Sequence, residues 1–159
     1  MTQPLRHIAD KPRTLTIKQI ADNRSARHEY FIIEDIECGI VLSGTEVKAL
    51  RQGKIQLTGG FARIDNDELW LENVHISAYD HAGGSSHETR RRRKLLVHQK
   101  EIKKLKVKTR DKGITLIPIR AYFKGNKVKI AVGLAKGKKA YDKRETIKER
   151  DVKREMSRE

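Results

Sequence analysis

Basic side chains fall into three groups along this chain, and their types suit the binding of a polyanion. The first group is Arg24, Arg27 and His28. The second joins Arg90–Lys94, which includes Arg93 and Lys94, to Lys100, Lys103, Lys104 and Lys106. The third comprises Lys124, Lys127, Lys129, Lys136, Lys138 and Lys139, beside Tyr122 and Phe123. Because Lys and Arg neutralise phosphates and aromatic rings stack on unpaired bases, these groups favour RNA or DNA as the ligand. The alternative is a solvated surface whose cations pair with Asp and Glu.

Residues that could perform catalysis are few. The six histidines show no metal-ligand spacing, and the single cysteine, Cys38, has no CxxC partner. Cys38 with a distant histidine could form a thiol nucleophile. A lone cysteine between Ile36 and Ile40 is, however, more typical of a small side chain within a strand. The sequence therefore predicts a binding protein with no enzyme activity, metal site or cofactor.

The overall charge supports a polyanionic partner. The 159 residues include 36 Lys and Arg against 21 Asp and Glu, which gives a formal net charge of +15. Hydrophobic residues make up only 36% of the chain, so we expect part of it to be unfolded when alone. A charge bias of this size exceeds what solubility requires and indicates binding to nucleic acid.

A membrane surface is the competing polyanion. No apolar run approaches the ~20 residues of a spanning helix, and no signal-peptide pattern follows Met1. No basic segment carries a broad face of Trp, Phe and Leu that would enter a bilayer. The sequence therefore favours nucleic acid over membrane, and a single cysteine without an export signal favours the cytoplasm.

The last segment, residues 138–159, is charged and lacks apolar side chains for a core. Oppositely charged pairs at helical spacing, such as Glu149 and Lys153, stabilise a helix by only ~0.2–0.5 kcal/mol. Ordering the backbone costs about 1 kcal/mol or more per residue. We expect this tail to be unfolded alone and to become helical against a groove lined with phosphates. A disordered solubilising tail is the alternative.

The elements that must position the basic groups begin with a strand over Tyr30–Leu42, where Gly39 suggests a bulge or bend. A short helix follows, since Ser43 and Glu46 have capping-box spacing and Gly53 can end it. The first 22 residues show no regular pattern and are interpreted as a loose arm.

The second half of the chain predicts two hairpins around a helix. The first hairpin joins Phe61–Ile64 to Leu69–Ile76 through the polar turn 65–67, and residues 80–89 form a loop. A short strand at 95–97 precedes a basic helix at 98–109. The second hairpin turns at Gly125 and Asn126, and Pro118 places its first arm at a sheet edge or in a bulge.

Many short strands with one or two short helices indicate a mainly β fold, a small oligonucleotide-binding-type β-barrel with short flanking helices. A mixed α+β sandwich is the competing architecture. The predicted organisation is a flexible N-terminal arm (1–22), an RNA-binding β-barrel (23–137) and a basic C-terminal tail that is disordered alone (138–159).

Four segments also resemble a known family. "NRSARHEYFI", "GTEVKALRQGK", "RKLLVHQKEIKKL" and "GLAKGKKAYDKRETIKERD" are similar, in this order, to the signature segments of the bacterial SsrA-binding protein (SmpB) family. The resemblance covers roughly residues 23–151. It implies a barrel of oligonucleotide-binding type that binds the tRNA-like domain of transfer-messenger RNA (tmRNA) and takes the place of an anticodon arm. Family members bring tmRNA, with elongation factor Tu, to stalled ribosomes, where the tail becomes helical in the empty mRNA channel.

The resemblance also assigns roles to individual residues. On the tmRNA-binding face it implies Arg24, His28, Glu37, Leu96 and Lys129, with Lys127 as the alternative to Lys129 if the alignment shifts slightly. In the tail, the "AYDKR" run implies that Tyr141, Asp142, Lys143 and Arg144 reach the decoding centre of the ribosome. Ile147 would seat the helix that follows, and Lys138 and Lys139 belong to the same tail.

Two stretches depart from the family pattern. Residues 58–61 (Thr-Gly-Gly-Phe) stand where an Asp-Ser-Tyr-like run is expected, and the run 90–93 is unusually basic without a nearby proline. Both departures place local loop shape in doubt.

Two other classes of protein compete with an adaptor for ribosome rescue. One is a basic structural ribosomal protein, and the other is an RNA-processing enzyme, which the missing acid–base or metal residues disfavour.

Overall fold

A ring of antiparallel strands forms the folded part of the chain. The computed structural model describes residues 16–79 and 86–138. Its elements are β1 (Ile17–Asp22), α1 (Arg24–Glu29), β2 (Tyr30–Ile40), α2 (Gly44–Arg51), β3 (Ile55–Gln56), β4 (Phe61–Asp65), β5 (Glu68–Glu72), β6 (His75–Ile76), β7 (Arg93–Leu96), α3 (Gln99–Lys108), β8 (Ile114–Lys124) and β9 (Lys127–Gly137). This content confirms the prediction of a mainly β fold with short helices.

The strand pairings close on themselves. Strands β8, β4, β5, β7, β2 and β9 are neighbours in that order, and β9 pairs with β8 again. Strand β1 pairs with β8 outside this ring, and β3 and β6 form a separate two-stranded sheet. The core inside the ring includes the fully buried Leu69, Ile76, Leu95 and Ile130. A closed ring leaves few free strand edges, which suits a small β protein in solution.

The pairing of β2 with β9 extends over most of β2. It runs from Tyr30 opposite Gly137 to Gly39 opposite Lys129. Its one register shift lies between Ile32 and Glu34. The predicted bulge at Gly39 is therefore wrong. Gly39 instead allows a close approach of β7. It lies opposite Leu96, and a Cβ added at Gly39 would lie only 3.2 Å from the Cβ of Leu96.

The first half of the chain otherwise folds largely as predicted. Helix α2 begins after Ser43, whose backbone N–H donates to Glu46 Oε1 at 2.9 Å. It ends before Gly53, which has a φ of 72° that favours glycine. Helix α1 was not predicted. Its N-cap is Asn23, whose Oδ1 accepts from the backbone N–H of Ala26 at 3.2 Å.

Part of the segment predicted to be a loose N-terminal arm is a strand. Residues 17–22 form β1, which pairs with β8 from Arg120 to Lys124. The interpretation of these residues as irregular is wrong, because this part of β8 offers backbone groups that a further strand can pair with. Residues 1–15 lie outside the described part of the chain.

Both predicted hairpins are present. Strands β4 and β5 join through Asn66 and Asp67, which both have positive φ angles (55° and 58°) and so fit the tight turn of a hairpin. Strands β8 and β9 join at Gly125 and Asn126. Pro118 lies beside a register shift of β8, which confirms the bulge rather than the sheet edge. Of the predicted loop at 80–89, residues 80–85 lie outside the description.

A buried ion pair links α2 to β7. Glu46 and Arg93 are both 0% exposed, and Arg93 Nε donates to Glu46 Oε2. Arg93 also donates to the carbonyl oxygens of Val74 (2.8 Å) and Thr89 (3.1 Å). Arg91 donates to the other carboxylate oxygen of Glu46. A buried charge is tolerated only with this degree of pairing and hydrogen bonding.

The pKa of Glu46 reflects these partners. Burial raises the pKa, but the Ser43 N–H, Arg91 and Arg93 outweigh burial and leave it below its ordinary value of 4.5. A carboxyl whose pKa is lower in the folded state stabilises the fold above its unfolded pKa. That contribution is lost as the pH falls towards the folded pKa.

We predict that Glu46→Gln lowers the free energy of unfolding by about 3–5 kcal/mol at pH 7, because it leaves Arg93 buried without its anion. The difference from the parent protein should be smaller at pH 3 than at pH 7. Below pH 4.5 the unfolded chain takes up a proton on Glu46, and the stabilisation falls as the pH approaches the lower folded pKa. Urea unfolding at the two pH values measures both quantities. The control is Glu68→Gln, whose pair with Lys94 is solvent-exposed and whose loss should cost no more than about 1 kcal/mol. An equal destabilisation by Glu46→Gln at both pH values would contradict this role of its charge.

Candidate functional site

A row of four residues crosses the outer face of the ring. Gly39 on β2 lies opposite Leu96 on β7 and opposite Lys129 on β9. Lys129 in turn lies opposite Tyr122 on β8. Because Gly39 carries no side chain, the row has a depression between Leu96 and Lys129. Glu37 lies two residues before Gly39, on the same face of β2, since side chains alternate along a strand.

This depression is part of an open groove of about 550 Å³. The residues that line it are Ile36, Glu37, Gly39, Leu96, Val97, His98, Glu101 and Lys129. Three of the predicted site residues, Glu37, Leu96 and Lys129, therefore meet in one place. Leu96 is 51% exposed, so its side chain contributes apolar surface to the wall of the groove.

Two residues of β8 hold the Glu37 carboxylate. The Tyr122 hydroxyl donates to Glu37 Oε2, and Lys124 Nζ donates to Oε1 at 3.1 Å. The hydrogen bond from Tyr122 is the main cause that holds the pKa of Glu37 below 4.5, with Lys124 acting in the same direction and partial burial opposing. Burial and the bond to Glu37 raise the pKa of Tyr122, so it stays a donor at neutral pH. Glu37 is thus presented to the groove as a charged hydrogen-bond acceptor.

The sequence alone does not reveal this role of Tyr122. Tyr122 was noted only as a ring for stacking, whereas the structure buries it and uses its hydroxyl. The strand alternation of β8, which places Tyr122 and Lys124 on one face, was the available signal. Only the pairing of β8 with β9 and of β9 with β2 brings that face to Glu37.

The groove distinguishes Lys129 from Lys127, because only Lys129 lines it. Both line a second, neighbouring concavity of about 360 Å³ that also includes Leu96, but only Lys129 lines the groove with Glu37. Lys127 is exposed beside the hairpin turn. The geometry therefore favours Lys129 as the basic partner of Glu37.

The expectation that Arg93 contacts RNA is wrong, because its side chain is fully buried against Glu46. Its neighbour Lys94 points to the outer face, lies opposite Trp70 and pairs with Glu68 at 3.4 Å. Arg92 lies over the Trp70 ring at 4.0 Å. The basic run 90–94 thus divides between the core and a surface where carboxylates neutralise part of its charge.

Arg24 and His28 do not join the groove. Both are exposed on α1, next to the first residue of β2. Glu37 lies seven residues further along β2, a distance of about 23 Å at ~3.3 Å per residue. Arg24 and His28 therefore form a second candidate surface at the opposite end of the strand.

The chain beyond β9 starts beside this second surface. Gly137 lies opposite Tyr30, and Lys138 Nζ donates to the backbone oxygen of Arg27 at 3.1 Å. Lys138 Nζ also lies 5.1 Å from the centre of the Phe31 ring. The other predicted tail residues, Lys139, Tyr141, Asp142, Lys143, Arg144 and Ile147, lie outside the described residues.

Cys38 does not have the properties of a nucleophile. Its side chain is fully buried, and burial raises the pKa of the thiol to about 12. The reactive thiolate is therefore scarce at neutral pH. Within 16–79 and 86–138, no group of three or more His, Cys, Asp and Glu side chains could hold a metal ion. In the same ranges, no helix has the length and apolar character needed to cross a membrane.

The ring and groove define a class of protein: a small basic β protein with an open groove on the outer face of its strands. Comparison with known proteins identifies the family. A family model described as SmpB protein matches residues 20–159. The SsrA-binding protein of Carboxydothermus hydrogenoformans is 56% identical over 139 residues, which cover 87% of this chain and 93% of the relative. That of Enterococcus faecalis is 52% identical over 141 residues, covering 89% and 92%.

A solved structure gives the same result. It is described as "tmRNA-SmpB: a journey to the center of the bacterial ribosome". One of its chains is 47% identical to this one, with a TM-score of 0.64, and the match covers 74% of this chain and 82% of that chain. The present chain belongs to the SmpB family, which confirms the resemblance found in the sequence.

We predict that Tyr122→Phe weakens RNA binding about three- to tenfold, because it removes the hydroxyl that orients Glu37, at a net cost of ~1 kcal/mol. The pKa of Glu37, followed by NMR titration of its side-chain carbonyl carbon, should rise towards 4.5. A merely structural role for Tyr122 would not move this pKa. Tyr30→Phe, at the other end of β2, serves as the control and should leave the pKa of Glu37 unchanged.

Proposed function

We propose that this protein binds tmRNA and delivers it to stalled ribosomes in trans-translation. The observation that carries the proposal is the meeting of Glu37, Leu96 and Lys129 in one open groove. These are three of the five residues that the family resemblance assigns to the tmRNA-binding face, the other two being Arg24 and His28. The solved structure with a related chain contains, by its description, tmRNA and the bacterial ribosome. The role is one of binding, and catalysis forms no part of it.

The groove offers three kinds of contact that suit a folded RNA. The Glu37 carboxylate can accept hydrogen bonds from base N–H groups or from a ribose 2′-hydroxyl. Leu96 can pack on the face of a base or ribose, and Lys129 can neutralise a phosphate. Together these contacts recognise an irregular RNA surface, such as the elbow of the tRNA-like domain, better than a uniform duplex.

The second surface, with Arg24 and His28 as further candidate contacts to tmRNA, is also where the tail begins. Residues 139–159 are joined to the ring at Lys138, beside Arg24 and His28 and at the opposite end of β2 from the groove. The groove can therefore hold tmRNA while the tail contacts the ribosome. We propose that Lys138, Lys139, Tyr141, Asp142, Lys143, Arg144 and Ile147 enter the decoding centre and the empty mRNA channel. Elongation factor Tu would act indirectly, through aminoacylated tmRNA, and the site of action is the cytoplasm.

A structural ribosomal protein, the alternative from the sequence, is not favoured by the family match. An adaptor should co-sediment mainly with stalled ribosomes and only when tmRNA is present, whereas a structural subunit should co-sediment with all ribosomes. Sequencing of the RNA that copurifies with the protein provides the direct test of the proposal. Absence of tmRNA from that RNA would overturn it.

We predict that Lys129→Gln weakens binding to a transcript of the tRNA-like domain more than Lys127→Gln does. Loss of one phosphate contact should reduce the slope of log affinity against log salt by about 0.7–0.9. Filter binding over a range of salt concentrations measures this slope. An equal effect of the two substitutions would remove the preference for Lys129 that the groove provides.

We also predict that ending the chain after Lys138 leaves affinity for this transcript within about threefold of the full-length value. Tagging of peptides on stalled ribosomes should be abolished in a reconstituted translation assay. The physical reason is that every residue lining the groove precedes Lys138. A parallel loss of RNA affinity and tagging would show that the tail belongs to the RNA clamp.

A further inference from the structure

Helix α3 carries lysines of two kinds. Lys106 and Lys108 pair with carboxylates of other elements, Lys106 with Asp67 at 3.0 Å and Lys108 with Glu34. Lys100, Lys103 and Lys104 are exposed, and they have no ion pair or hydrogen bond with any residue that the structure describes. These three residues are called the lysine face below. The sequence grouped Lys106 with them, but the structure separates it.

The spacing of the lysine face concentrates positive charge. Residues three and four apart lie on the same side of a helix, so Lys100 adjoins both Lys103 and Lys104. Ile102 and Leu105 bury the opposite side of α3 in the core, which directs the lysine face to solvent. Like charges at this spacing repel one another and oppose the helix. Lys100 also lies in the first turn, where the helix dipole disfavours a cation. A bound anion would relieve both effects.

The lysine face is continuous with the groove. His98, the N-cap of α3, and Glu101 in its first turn both line the groove that contains Leu96 and Lys129. Lys104 lies one turn beyond Glu101 and Lys100 on the same helix. An RNA strand that leaves the groove past the start of α3 therefore meets these lysines next.

We propose that Lys100, Lys103 and Lys104 bind backbone phosphates of the same RNA that occupies the groove. This inference rests on the proposed function and extends the interface along α3. The contacts are with phosphates, so they add affinity and fix the orientation of the RNA without recognising its bases. Charge complementarity favours RNA over an apolar partner, because the face contains three cations on one side of a short helix.

The test compares two variants with equal changes of charge on one helix. Lys100→Gln/Lys104→Gln removes two lysines of the face, and Lys106→Gln/Lys108→Gln removes the two paired lysines. The probe is a transcript of the tRNA-like domain of tmRNA, titrated by filter binding between 50 and 200 mM salt. Circular dichroism and thermal unfolding of both variants show that the fold is retained.

The first variant should reduce the salt slope by about 1.4–1.8, since each phosphate contact contributes 0.7–0.9. When the salt concentration rises from 50 to 200 mM, the affinity of the unaltered protein should therefore fall by about tenfold more than that of this variant. The control variant should change the slope by less than about 0.5. Adding Lys103→Gln to the first variant should reduce the magnitude of the slope by about another 0.7–0.9, which corresponds to one more phosphate contact.

Two outcomes overturn the inference. In one, both double variants reduce the slope equally. The reduction would then come from the lower net charge and not from phosphate contacts of the lysine face. In the other, the first variant keeps the full slope, which makes the lysine face a solvated surface or a site for another molecule. Failure of the unaltered protein to bind the transcript is a different result, because it contradicts the proposed function itself.

Discussion

The antiparallel pairing of β2 with β9 is the constraint on which the rest of the structure depends. It closes the ring, and its register decides which side chains face outward. A slip of one residue would bring Glu37 and Lys129 into the core and expose Cys38 and Ile130. The same register fixes the groove at one end of β2 and Gly137 opposite Tyr30 at the other. The two surfaces are thus held apart by a single pair of strands.

The fold sorts the charges of this very basic chain into those that stabilise the protein and those that remain for a ligand. Glu46 takes Arg93 into the core and holds Arg91 at its edge. Surface carboxylates such as Asp67 and Glu34 neutralise two lysines of α3. Net charge alone therefore overstates the number of cations that can bind RNA. The cations that form no ion pair with a carboxylate of the described residues include Lys129 in the groove, Arg24 on α1 and the three lysines on the outer side of α3.

Local signals in the sequence were sufficient for most elements. The Gly125-Asn126 turn predicted the hairpin of β8 and β9, and the spacing of Ser43 and Glu46 predicted the start of α2. Both signals work because their physical basis lies within a few residues. Signals that depend on distant partners were missed. No residue near Arg93 in the sequence indicates that Glu46 will be its buried partner. Leu95 is the one local signal, since it lies two residues after Arg93 in the same strand and so faces the core with it. The strand at residues 17–22 likewise exists because β8 is there to pair with it.

The candidate groove follows from the absence of a side chain. Gly39 lies between Leu96 and Lys129, and any larger residue there would fill the depression and press on Leu96. Because strands of a closed ring hold every residue around Gly39, the groove is largely formed before a ligand arrives, which limits the entropy lost on binding. Glu37 gains the same advantage from Tyr122, which fixes its carboxylate. Family resemblance identified Glu37, Leu96 and Lys129 as separate positions, and strand register explains why they lie in one groove.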